Sequence, residues 1–126
     1  MMNSQNTEVF CVEYPGRKVM ARLFSKWTGL VVRCLSLRTM RYSELRRTIG
    51  GISQKMLTQT LRELEADGLA ERKVHPVVPP KVEYSLTALG RTLVGPLTEL
   101  GYWVETHAEE IEAANQRYQE RTKKTA

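Results

Sequence analysis

Tyr42-Ser43-Glu44-Leu45-Arg46-Arg47-Thr48-Ile49-Gly50-Gly51-Ile52-Ser53-Gln54-Lys55-Met56-Leu57-Thr58-Gln59-Thr60-Leu61-Arg62-Glu63-Leu64-Glu65-Ala66-Asp67-Gly68 is the stretch from which the fold can be read. Ser43 is a capping residue type placed ahead of a short helix over 44–49, and Gly50-Gly51 ends that helix. Ser53 offers a second cap, after which Met56, Leu57, Leu61 and Leu64 join Ile52 in an apolar stripe at helical spacing. Gly68 supplies the left-handed stop. Two helices of this size joined by a tight glycine turn predict a helix-turn-helix over 43–67.

Downstream the period changes. Leu69-Ala70-Glu71-Arg72-Lys73-Val74 and Val82-Glu83-Tyr84-Ser85-Leu86 read as short strands, and Pro76, Pro79 and Pro80 keep the loop between them out of any ladder. The hairpin over 69–86 is a wing. Upstream, Pro15 suits the first position of a helix over 15–24, carrying Val19, Met20, Leu23 and Phe24. Trp27, Leu30, Val31, Cys34 and Leu35 mark one buried face of a second helix over 25–37. Residues 38–42 continue no period. Thr87 caps a further helix, whose apolar side is Leu89 and Leu93, up to Gly95-Pro96. Beyond Pro96, Leu97, Leu100, Val104, Ile111 and Tyr118 lie at a/d-like spacing, with His107 and Ala114 between them, predicting a helix over 97–120. Twenty such residues span about 30 Å, too long to bury the whole stripe on a small domain. The surplus calls for a partner, most simply a second copy of the chain. Residues 1–13 are expected to form an N-terminal arm, of which 1–7 is polar, and 121–126 to fray.

The 126 residues suffice for a single domain, mainly α with a small β-wing. The formal charge is +5, divided as +3 over residues 1–37, +4 over 38–98 and −2 over 99–126. The basic excess therefore lies on the first helices, the helix-turn-helix and the wing, and favours anionic partners there. No apolar run approaches the roughly 18–20 residues that cross a bilayer, and the N-terminus lacks the pattern of a signal peptide. A cytoplasmic protein with free thiols at Cys11 and Cys34, without a membrane partner, is the expectation.

The helix that starts at Ser53 has an inner apolar stripe and an outer face of Gln54, Lys55, Thr58, Gln59 and Arg62. Its acids, Glu63 and Glu65 with Asp67 just beyond, gather at the C-terminal end. Acid normally complements the opposite end of the macrodipole, so this arrangement leaves the N-terminal end positive and open to an anion. Gln, Lys, Thr and Arg also match base edges and phosphates in a major groove wide enough for one helix. Taken alone, this face is equally that of an ordinary solvated amphipathic helix. The neighbouring basic residues point towards nucleic acid: Arg72, Lys73, His75 and Lys81 on the wing, and Arg38, Arg41, Arg46 and Arg47 around the supporting helix. A winged helix that binds a protein partner would instead show an apolar patch at this face.

Enzymatic readings find little support. Gly51-Ile52-Ser53-Gln54-Lys55 lacks the last glycine of a nucleophile elbow, and no phosphate-cradling glycine loop follows a strand. His75 and His107 have none of the short spacings that mark a zinc site, so neither a metal nor a cofactor is expected. Trp27 and Trp103 read as packing anchors that, in a dimer, could also line an apolar pocket for a small-molecule effector.

Several motifs together resemble the HxlR family of bacterial winged helix-turn-helix regulators, relatives of MarR. They are Lys26-Trp27-Thr28, Tyr42-Ser43-Glu44-Leu45-Arg46-Arg47, Gly51-Ile52-Ser53-Gln54-Lys55-Met56-Leu57-Thr58-Gln59, Leu61-Arg62-Glu63-Leu64-Glu65 and Asp67-Gly68-Leu69. Val78-Pro79-Pro80-Lys81-Val82-Glu83-Tyr84-Ser85-Leu86-Thr87 and Leu89-Gly90 extend the match, which covers about residues 15–107. The resemblance implies a homodimer, built by terminal helices, that regulates transcription from double-stranded DNA, on a pseudo-palindromic operator if two-fold symmetry holds. It makes Ser53, Gln54, Lys55, Thr58, Gln59 and Arg62 the groove residues, Arg41 and Ser43 phosphate contacts, and Lys81 the wing-tip contact, while Arg72 and Lys73 come from the basic wing. Thr60 stands where the family often has Arg, implying one DNA contact fewer. Ser25 and Gly29 replace a common Gly and a bulky apolar residue, which is expected to loosen the second helix, since an interior Gly costs about 1 kcal/mol relative to Ala. Many members begin the first helix with Cys-Pro, and some use that Cys to sense oxidants or electrophiles. Here the matching pair is Tyr14-Pro15, and Cys11 lies three residues earlier. A thiol ahead of a helix and near Arg17 and Lys18 can have a lowered pKa, so Cys11 is a redox-sensing candidate beside the alternative of an inert cysteine. Cys34 reads as a small core residue.

Overall fold

A computed structural model describes residues 15–125. The 1–13 arm and Cys11 lie outside the described residues. The chain divides between Val94 and Gly95 into two units.

The first unit begins with α1 (Pro15–Leu23), which Pro15 opens, and α2 (Thr28–Leu37). α2 starts three residues later than its apolar period suggests because Ser25 and Thr28 close the α1–α2 turn. Their hydroxyls lie 2.7 Å apart, and Thr28 also donates to the Arg22 carbonyl at 3.2 Å. Gly29 is accommodated within α2.

β1 (Met40–Arg41), α3 (Tyr42–Ile49) and α4 (Gln54–Ala66) follow. Ser43 lies inside α3, and the capping position falls to Arg41. Its backbone N–H donates to Glu44 Oε1 at 3.2 Å, while Arg38 Nη1 donates to Glu44 Oε2 at 2.6 Å. These donors, Arg38 first, hold the Glu44 carboxyl below its ordinary pKa. The turn into α4 uses Gly50 and Gly51 at φ of 69° and 72°, a region that side chains with a Cβ rarely enter. Ser53 caps α4 as expected, its Oγ accepting the Met56 N–H at 3.1 Å.

β2 (Ala70–His75) and β3 (Lys81–Leu86) make the wing, and the antiparallel sheet runs β1-β3-β2. Ala70 faces Leu86, Arg72 faces Tyr84 and Lys73 faces Glu83, while β1 sets Met40 against Tyr84. Val31, Val32 and Leu35 of α2, Leu45 of α3, Leu57, Leu61 and Leu64 of α4, and Met40, Ala70 and Leu86 of the sheet form the core. α5 (Ala88–Thr92) closes this unit, with Thr87 Oγ1 accepting the Gly90 N–H at 3.0 Å. Its buried contact is Gly90 rather than Leu89, which stays exposed.

α6 (Val94–Thr125) makes up almost all of the second unit, a continuous helix of 32 residues and about 48 Å. Pro96 does not interrupt it. It occupies the third helical position, where a backbone N–H has no intrahelical acceptor, so its missing donor is not felt. Leu100, Trp103, Val104, Ile111 and Tyr118 are exposed along it. Among the described residues no helix is long and apolar enough to cross a membrane.

Candidate nucleic-acid interface

α4 carries its polar residues on the side away from the core. Ser53, Gln54, Lys55, Gln59 and Arg62 are exposed, Thr58 is half-buried, and Gln54, Lys55, Thr58, Gln59 and Arg62 line one open depression together with Glu63 and Ala66. The first turn holds no acid, so the N-terminal partial charge of the helix stays uncompensated. Gln59 Nε2 donates to Glu63 Oε1 at 3.2 Å, which orients that amide along the helix. Thr60 belongs to the opposite face: it is buried, and its hydroxyl donates to the Met56 carbonyl at 2.7 Å. Position 60 therefore points into the core, away from the polar face of α4.

Two contacts outside the expected set position this helix. The Tyr42 hydroxyl donates to the Gln54 carbonyl at 2.9 Å and lies 3.3 Å from Thr58 Oγ1, pinning the first turn of α4 to the start of α3. Tyr42 sits where no hydrophobic period runs, so periodicity has no means of finding it. At the other end, Arg22 of α1 grips Asp67 through Nε–Oδ2 and Nη2–Oδ1 contacts of 2.8 and 2.9 Å. An acid at a helix C-terminus opposes the macrodipole, and a bidentate guanidinium offsets that conflict.

The strand register separates the wing's basic residues. Side chains alternate along a strand and share a face with their cross-strand partners. Ala70, Arg72 and Val74 therefore lie with Leu86, Tyr84 and Val82 on the core side, whereas Lys73 and His75 lie with Glu83 and Lys81 on the other. Arg72 reaches past the core edge towards α4 and, with Tyr42, Thr58, Leu61, Arg62, Glu65 and Tyr84, lines a cleft of about 350 Å³. Lys73 faces away from this cleft. His75 Nε2 lies 2.6 Å and Lys81 Nζ 3.9 Å from Glu83 Oε1, so both side chains gather at one carboxylate on the outer face. Arg41 and Ser43 are exposed at the start of α3.

The remaining sequence candidates stand apart. Cys34 is half-buried in α2, and burial pushes its thiol pKa up, keeping it protonated. Trp27 is half-buried beneath the Lys26 ammonium, 4.6 Å from its ring. Trp103 is exposed and stacks on His107 with centroids 4.6 Å apart. Among the described residues no three His, Cys, Asp or Glu side chains gather into a metal site.

A helix-turn-helix whose second helix turns a polar face outward beside a β-hairpin wing defines the class of winged helix-turn-helix transcriptional regulators. The match to the family model of the HxlR-like helix-turn-helix covers residues 23–112, and the chain belongs to that family. It is 44% identical over 103 residues to the uncharacterised HTH-type transcriptional regulator YtfH of Escherichia coli, spanning 82% of each chain. Among solved structures it is similar to the transcriptional regulator ytfH from Salmonella typhimurium, at TM-score 0.79 and 40% identity, covering 86% of this chain and 97% of that one. It is also similar to the reduced form of the redox regulator HypR, at TM-score 0.73 and 40% identity, covering 79% of this chain and 98% of the other. The protein is thus a DNA-binding transcriptional regulator.

Proposed function

We propose that the protein acts in the cytoplasm, on the nucleoid, as a homodimeric repressor that reads a pseudo-palindromic operator with half-sites about one helical turn apart. The observation that carries this reading is the outward face of α4, where Gln54, Lys55, Thr58, Gln59 and Arg62 stand beside the wing with no acid in the first turn. Such a face suits base edges and phosphates and lacks the apolar patch that a protein-binding winged helix would present. The exposed stripe of α6, Leu100, Val104, Ile111 and Tyr118, supports dimerisation, because a helix about 48 Å long presents these residues to a second copy. Arg41, Ser43 and Lys81 serve as backbone contacts, and Ser53 supplies the cap that aims the helix. Lys73, on the outer face of the wing, makes the weakest contribution of the set.

Lys55→Ala and Gln59→Ala are expected to weaken operator binding by about tenfold or more while leaving random-sequence binding within about threefold, since a base contact is worth roughly 1–3 kcal/mol of discrimination. Lys81→Ala is expected to weaken both and flatten the dependence on salt. Gel-shift titrations over a salt series check this division. Equal losses on both DNAs for all three variants would overturn it.

The likeness to HypR favours one second reading, thiol-gated release of DNA by an oxidant or electrophile acting at Cys11. Cys34 is a poor sensor because its thiol is held protonated. Diamide is expected to release DNA from the wild type and not from Cys11→Ser. Identical release from both would remove Cys11 from the mechanism.

A further inference from the structure

The cleft between α4 and the wing is built from both sides by groups that suit one anion. Arg62 of α4 and Arg72 of β2 both line it, together with Tyr42, Thr58, Leu61 and Tyr84 and with Glu65 as the opposing charge. Among the described residues neither guanidinium is taken up by a carboxylate in an ion pair. The volume of about 350 Å³ has room for roughly a dozen waters at about 30 Å³ each, and so for a phosphodiester with part of its hydration shell.

The position of the cleft matters as much as its lining. A helix in a major groove and a wing at the adjacent minor groove stand on either side of one sugar-phosphate strand, because that strand is what separates the two grooves. The space between helix and wing must straddle it. We infer that Arg62 and Arg72 close on the same single phosphate of the DNA backbone, so that the two arginines act as one clamp. The clamp rests on the DNA-binding reading given above and adds to it a stoichiometry: two cations, one phosphate. It also gives α4 a fixed depth in the groove, since a phosphate held from both sides sets the distance between helix and wing.

Sharing has a measurable consequence. Each phosphate neutralised on duplex DNA contributes a slope of about −0.9 to the logarithm of affinity against the logarithm of salt concentration. The experiment uses the full chain and the tightest duplex recovered by in-vitro selection against the wild type. Arg62→Ala/Arg72→Ala is expected to be shallower than wild type by about 0.9, one phosphate's worth, where two separate contacts would lose about 1.8. Both side chains are exposed, and Arg62→Lys/Arg72→Lys, which keeps the charges, is expected to retain the wild-type slope. A scan of single methylphosphonate substitutions is expected to show one position whose neutralisation weakens the wild type and leaves the double alanine variant unaffected. A loss near 1.8, two such positions, or an unchanged slope and scan would overturn the clamp while leaving DNA binding intact. A wild type that recovers no duplex would overturn the DNA-binding reading itself.

Discussion

Gly90→Ala is expected to destabilise the protein by about 3 kcal/mol, the upper end of the usual cost of overfilling a packed site. Gly90 is buried in α5, and a Cβ there would run into the Leu69 carbonyl oxygen, with the Leu69 carbonyl carbon at 3.0 Å and Leu86 Cδ2 at 3.3 Å. The obstacle is backbone, and it has little freedom to withdraw. The Leu69 oxygen accepts the Thr87 N–H at 3.1 Å, and the Thr87 hydroxyl in turn donates to the Gly68 carbonyl at 2.6 Å and accepts the Gly90 N–H at 3.0 Å. These bonds lay α5 across the junction of α4 and β2, so relieving the clash means breaking them. Urea denaturation of the two proteins measures the cost. An unchanged midpoint would show that α5 can shift without penalty.

Leu57→Ala is expected to cost about 2–5 kcal/mol and to lower the melting temperature by on the order of 10 °C or more. Leu57 is 0% exposed, on the inward face of α4 and in the same core as Leu45, Leu61 and Leu64. Truncation removes its burial free energy and leaves a cavity that helices pinned at both ends close poorly. The Tyr42 hydroxyl holds the first turn of α4, and Arg22 holds its C-terminal end through the capping residue Asp67. Below its melting temperature the variant is expected to keep most of its DNA affinity, because the outward face of the helix is untouched. Thermal melts checked against gel shifts at low temperature separate the two effects. An unchanged melting temperature would place the wrong face of α4 in the core.

Strong local signals carried much of the architecture. Ser53 caps α4 and Thr87 caps α5, as a hydroxyl before a helix suggests, and the change from a helical to a strand period announces the wing. Local signals misplace boundaries where a contact from elsewhere intervenes. α3 begins at Tyr42 because Glu44, held by Arg38, reaches back to the Arg41 N–H, so Ser43 is not needed as its cap. β1 is two residues long, too short for any alternation to register, and exists because β3 offers it an edge.

By itself the sequence determined the order of helices, turn and wing, the apolar stripe of α4 and the residue types on its outer face, because caps, glycines and periodicity act over a few neighbouring residues. Only the tertiary structure decided which distant side chains meet. It turned Thr60 inward and separated Arg72 from Lys73 across the sheet. It tied Arg22 to Asp67 over 45 positions and brought Tyr42, Arg62 and Arg72 around one cleft. Strand register and helix packing set these contacts, and neither leaves a mark within a short window of sequence.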